Sequence, residues 1–203
     1  MGLVATAPAP PAPPLAPLPA LPPVPVVTPD LKHLPFTVEN GTKVFRLIAE
    51  PVKTEIVPGR TLEAWGFNGS VPGPTIEINE GDRVRIVVEN HLPEVFVPHW
   101  HGLEVPIGMD GTPGISQAPI KPGESFTYEF TIKDPPGMYI YHSHFNSAEQ
   151  VGNGLYGPLI IKPKTGWKSV YGVEPDIVVL GKGLGNGVAV SAAVGRADLF
   201  ANM

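Results

Sequence analysis

Between residues 37 and 164 the chain runs in short stretches of Val, Ile, Phe, Tyr and Thr that alternate with polar residues and are cut by Gly, Pro and Asn. This pattern constrains the fold more than any other feature. Successive side chains of a strand point to opposite faces, so strict alternation marks a sheet with one face buried. The stretches at 43–50, 61–69, 75–78, 83–90, 125–132, 138–144 and 156–163 each read as a strand. Alternation is clearest in Val84, Ile86 and Val88 and in Phe126, Tyr128 and Phe130. Turn signals separate the stretches: Asn68-Gly69, Pro72-Gly73-Pro74, Glu80-Gly81-Asp82 and Lys121-Pro122-Gly123-Glu124. No stretch keeps a long helical period. The expectation is an all-β domain, an antiparallel β-sandwich with Greek-key connections.

The flanks differ in kind. Residues 1–36 begin as an uncharged run dense in Pro and Ala. Proline removes helical hydrogen bonds, and a bilayer holds no water to satisfy the freed carbonyls, so this run is not a membrane span. It reads as a Pro-rich, disordered, polyproline-type arm. It is a poor secretory signal, with neither a basic start nor an unbroken apolar core. A net charge of −5 argues against nucleic acid as a partner. The absence of Cys excludes disulfides, zinc–cysteine sites, iron–sulfur clusters and a thiol nucleophile. It also excludes a blue-copper electron-transfer centre, which needs a thiolate.

Four of the six histidines form two pairs, His99-Trp100-His101 and His142-Ser143-His144. In a strand, positions i and i+2 share a face, so each pair aims two imidazoles into one space. If the two strands pack side by side, all four rings converge. Protonated, such a cluster would repel itself; a metal ion demands the neutral imidazole and removes the conflict. Copper suits such a set, and zinc or nickel could enter it too. Trp100, between the first two ligands, points the other way into the core. His33 and His91 lack such partners and are expected at the surface.

The run from His99 to Pro106, followed by Met109-Asp110-Gly111, resembles the first copper motif of the multicopper oxidases. The run from Gly137 to His144, followed by Gly154-Leu155-Tyr156-Gly157-Pro158, resembles the second. The resemblance covers about residues 37 to 164 and implies a cupredoxin-like first domain of a laccase-like enzyme. It implies that His99 ligates the type 2 copper and that His101, His142 and His144 ligate the type 3 pair. It places Asp110 at a carboxylate position near the trinuclear cluster, associated with proton delivery during dioxygen reduction. A carboxylate beside a cationic cluster would stay ionised and orient water. Plain Asp-Gly turn chemistry explains the same residue equally well.

The family takes the other half of its trinuclear histidines from its last domain, and a Cys ligates the type 1 copper that passes electrons to the cluster; neither is present in these residues. The expectation is therefore half a copper site, completed by a second chain or domain, without turnover on its own. A non-catalytic copper-binding or sequestering module is the alternative. Family members work mostly outside the cytoplasm, which points to a periplasmic or extracellular protein without a clear export signal. Beyond Lys164 the character changes again. The run from Asp176 to Gly187 resembles the lysine motif of class III aminotransferases, with Lys182 at the Schiff-base position. No partner for a pyridinium nitrogen and no phosphate cradle accompany it, so no pyridoxal phosphate is expected. Residues 165–203 read as a fragment rather than an independent domain, and the chain as a truncated fusion.

Overall fold

The computed structural model describes residues 26–27, 31–166, 177–180 and 192–196. Its strands are β1 (Val26–Val27), β2 (Phe36–Glu39), β3 (Thr42–Val57), β4 (Arg60–Phe67), β5 (Ile76–Asn79), β6 (Arg83–Asn90), β7 (Pro98–His101), β8 (Ser125–Thr131), β9 (Gly137–Ser143), β10 (Tyr156–Lys162), β11 (Ile177–Leu180) and β12 (Ala192–Arg196). One sheet has the order β2-β3-β6-β8, with β4 also paired to β3; a second has the order β5-β10-β9-β7. The two pack as a sandwich. Its core draws Phe45, Ile86, Tyr128 and Phe130 from the first sheet and Ile76, Trp100, Tyr141 and Leu159 from the second. The expected all-β, cupredoxin-like sandwich is what the chain adopts.

The sheets are mixed rather than antiparallel. β3 runs parallel to β6, with Thr42 opposite Arg83, and β5 runs parallel to β10, with Ile76 opposite Leu159. The cause is connectivity. Every connection from β4 to β9 crosses from one sheet to the other. Partners within a sheet are therefore not joined by tight hairpins, and parallel pairing becomes available.

The arm expected over 1–36 does not stay apart from the sandwich along its whole length. Leu34 is buried in the core, its N–H donates to the Thr75 carbonyl at 2.8 Å, and the Thr75 N–H donates to the Lys32 carbonyl at 2.8 Å. Among the described residues, contacts with the sandwich thus begin by Lys32. Upstream, β1 pairs with β12, which pairs with β11, in a small separate sheet. A short helix, α1 (Ser147–Gly152), joins β9 to β10 and was not expected from periodicity. No helix among the described residues is long and apolar enough to cross a membrane.

Candidate metal centre

β7 and β9 are neighbours and run antiparallel, with His99 directly opposite His142 and Trp100 opposite Tyr141. The two-residue period does the rest. Trp100 turns inward and is fully buried, its ring 5.1 Å from Tyr128 and 5.9 Å from Phe130. His99 and His101 turn the other way. The pairing of β7 with β9 brings the four imidazoles together: His99 lies 5.7 Å from His101, 5.5 Å from His142 and 5.1 Å from His144 between ring centroids. Nitrogen atoms of His99, His101 and His142 fall within 4.8 Å of one another. His144 sits just past β9, its ring 6.2 Å from that of His142. The other two histidines stay outside. His33 is exposed and pairs with Glu77 at 3.0 Å, and His91 pairs with Glu89 at 3.3 Å.

Hydrogen bonds decide which ring nitrogen each histidine offers. The His99 Nδ1 lies 2.7 Å from the Asp110 carbonyl oxygen, which can only accept, so Nδ1 carries the proton and Nε2 keeps its lone pair. The His142 Nδ1 donates to the Ser143 carbonyl at 2.9 Å with the same result. The freed Nε2 of His142 faces the His101 Nδ1 at 3.1 Å. Two nitrogens bound to one ion at about 2.0–2.1 Å and a tetrahedral angle lie roughly 3.3–3.4 Å apart, close to that separation. Burial pushes His142 down to about 4, helped by its histidine neighbours and opposed by the Ser143 bond. Burial also lowers His101, reinforced by His99 and His144. Neutral, lone-pair-bearing imidazoles are the donor set that a borderline transition metal requires.

Asp110 belongs to this site through its backbone first. It follows the turn Ile107–Met109. Its carbonyl takes the His99 proton, while its carboxylate Oδ1 is 3.5 Å from the same nitrogen and Oδ2 accepts from Thr112 Oγ1 at 2.5 Å. Gly111 makes this approach possible. It has φ +78°, and a Cβ there would collide with the Pro98 carbonyl.

Two supporting residues are not visible as motifs. Gln150 is fully buried and bonds both Ser143 and Val95. Asp134 is buried and accepts the Glu104 N–H at 2.8 Å, fixing the chain just after His101. The only local cue to α1 is Asn146 followed three residues later by Glu149, a helix-start pattern whose side chains bond at 2.6 Å.

A sandwich of two mixed sheets that gathers histidines at one end has clear relatives. The multicopper oxidase family profile matches residues 49–166, and the chain belongs to that family as a cupredoxin domain. Over 135 residues it is 40% identical to "Laccase-1" of Cryptococcus neoformans var. grubii, covering 65% of this chain and 20% of that protein. It is 43% identical over 129 residues to "Copper resistance protein A" of Pseudomonas syringae pv. tomato, covering 63% and 20%. The crystal structure of a laccase from Pediococcus acidilactici superposes with a TM-score of 0.62 at 33% identity, over 70% of this chain and 30% of that one. The chain thus spans about a fifth of the length of the curated relatives it matches. Family and histidine cluster together point to copper. The family match stops at residue 166, and nothing in these comparisons supports the aminotransferase likeness of the tail. Lys182 lies outside the described residues.

Proposed function

We propose that His99, His101, His142 and His144 hold copper as one half of a trinuclear cluster for dioxygen reduction, with His99 on the type 2 ion and the others on the type 3 pair. The observation that carries this reading is the meeting of His99, His101 and His142 nitrogens within 4.8 Å, in a chain of the multicopper oxidase family. Bound copper supplies the electron-transfer chemistry. The chain's own part is to keep His142 and His101 neutral by burial, to fix the tautomers of His99 and His142 through the Asp110 and Ser143 carbonyls, and to hold a carboxylate beside His99. We assign Asp110 to water orientation and proton supply. Thr112 donates to its Oδ2 and so holds the carboxylate in place.

These residues contain no Cys, so the electron-donating type 1 site and the remaining ligands come from a second domain or chain, and the 203 residues alone do not turn over. The test is copper(II) titration of the full chain. Wild type takes up copper, and His99→Ala and His142→Ala each lose most of it; equal uptake by all three removes the reading. The lack of Cys also favours a second reading, a module that binds or sequesters copper without catalysis, in keeping with the name of the Pseudomonas syringae relative. An oxygen electrode separates the two. With copper and a phenol donor, the sequestering module consumes no oxygen even when the missing domain is supplied, whereas the half-site then consumes it in a way that His142→Ala abolishes.

A further inference from the structure

We propose that Gln150 is a positioning residue that clamps the two histidine pairs to each other. This rests on the reading of the histidines as copper ligands. Its amide spans the two segments that carry them. Nε2 donates to the Val95 carbonyl at 3.0 Å, and Oε1 accepts the Ser143 hydroxyl at 2.6 Å. The amide has only this orientation, since a flipped one would set Oε1 against a carbonyl that can only accept.

Each end of the clamp is tied to a ligand. Ser143 separates His142 from His144, and its carbonyl takes the His142 Nδ1 proton at 2.9 Å. Val95 leads through Phe96 and Val97 into β7 and His99, and the Val97 carbonyl accepts the His144 N–H at 2.8 Å. The hub is rigid. Gln150 and Ser143 are both fully buried, the Gln150 carbonyl accepts the Leu155 N–H at 3.1 Å, and the Leu155 carbonyl accepts the Ser143 N–H at 3.0 Å. Removing the amide leaves the buried Ser143 hydroxyl and the carbonyl of half-buried Val95 without it as partner. α1 therefore does more than join β9 to β10. It carries the one side chain among the described residues that bonds directly to both strand approaches.

The test compares Gln150→Leu, Ser143→Ala and their double variant with Ile78→Ala, a core change on the far edge strand of the same sheet. Two readouts are taken on the full chain: imidazole ¹⁵N resonances of the metal-free protein, and copper(II) affinity by competition titration. We expect Gln150→Leu to shift the His142 and His144 resonances and to weaken copper binding by about 10- to 100-fold, the usual cost of losing an outer-shell partner. The double variant should be no weaker than Gln150→Leu, because both changes break one link. Ile78→Ala should lower the melting temperature and move neither readout. Unchanged resonances and affinity in folded Gln150→Leu overturn the proposal, as do equal effects from Ile78→Ala. Should Gln150→Leu fail to fold, Ser143→Ala decides by the same criteria. Should wild type take up no copper, the ligand reading fails and the resonances alone decide whether Gln150 positions the rings.

Discussion

In the sheet that frames the molecule, β6 buries every second residue and β8 follows the same alternation with Phe126 half-buried, whereas in the sheet that carries the histidines β10 buries five in succession, Gly157 to Ile161. The outer face of the frame sheet is an ionic surface: Arg46 pairs with Glu89 at 2.5 Å and Arg85 with Glu129 at 3.2 Å. In the site sheet the ionic contacts gather at the β5 side, where Glu77 meets Lys162 and His33, while β10 and the end of β9 are covered on both sides. That difference explains the chemistry. A strand segment buried on both faces, as β9 is from Ile140 to Ser143, places the His142 imidazole where water does not stabilise its charge. The frame sheet is built to tolerate solvent on one face, and the centre of the site sheet to exclude it on both.

The change that should break this contrast most strongly is Trp100→Ala. Trp100 is where the sheets meet: its ring packs on Tyr128 and Phe130 of the frame and lies 6.4 Å from Tyr141 of the site sheet. Its backbone lies between two candidate ligands. Truncation of a buried Trp costs about 3–5 kcal/mol, and here it also loosens β7. Urea unfolding should show the loss, and copper titration should show weaker uptake. A stability change as small as that of an exposed substitution would mean that the site does not depend on the core beneath it.

Acid should probe the same contrast at intermediate size. His142 is held at about 4 when folded, against the ordinary 6.5 when unfolded. Between those values the unfolded chain binds a proton that the native ring refuses. The stability of the metal-free protein is therefore fully present above pH 6.5 and falls as pH drops toward 4, by about 1.4 kcal/mol per unit for this group. His142→Gln should flatten that part of the slope. Denaturant titrations of both proteins from pH 7 to pH 4.5 make the comparison, and identical slopes would show that the ring is not shielded from water.

The frame was largely legible from sequence because alternation reports burial directly, as Val84, Ile86 and Val88 show. The extent of β3 was not. Pro51 reads as an end, yet the strand continues to Val57. It does so because Trp65, opposite Pro51, sends its N–H to Asn153 instead, so the missing proline donor removes no bond from the ladder. At the site, the His-x-His spacing revealed which rings share a face. It could not reveal that His99 lies opposite His142, since register is fixed by partners distant in sequence. Gln150 was invisible for a related reason. Six residues of helix show no period, and the value of its amide lies wholly in Val95 and Ser143, which folding brings to it.

The smallest expected effect sharpens the comparison from the solvent side. Arg85 on β6 reaches both ways across its face, with Nε on Glu129 of the adjacent β8 at 3.2 Å and Nη1 past β3 on Glu39 of β2 at 3.1 Å. Its geometry is better than that of an isolated surface pair, but all three side chains remain partly exposed, so water already solvates them in the unfolded chain. Pairs of this kind are worth about 0.2–1 kcal/mol. Arg85→Ala should therefore cost less than about 1 kcal/mol, and the cost should shrink in about 1 M salt, where charges are screened within roughly 3 Å. Copper uptake should not change, because the ion pairs sit on the sheet that carries no histidine ligand. A loss that persists in high salt would mean that Arg85 acts by packing its stem over the sheet rather than by charge, and the frame's outer face would then resemble the site sheet more than its ion pairs suggest.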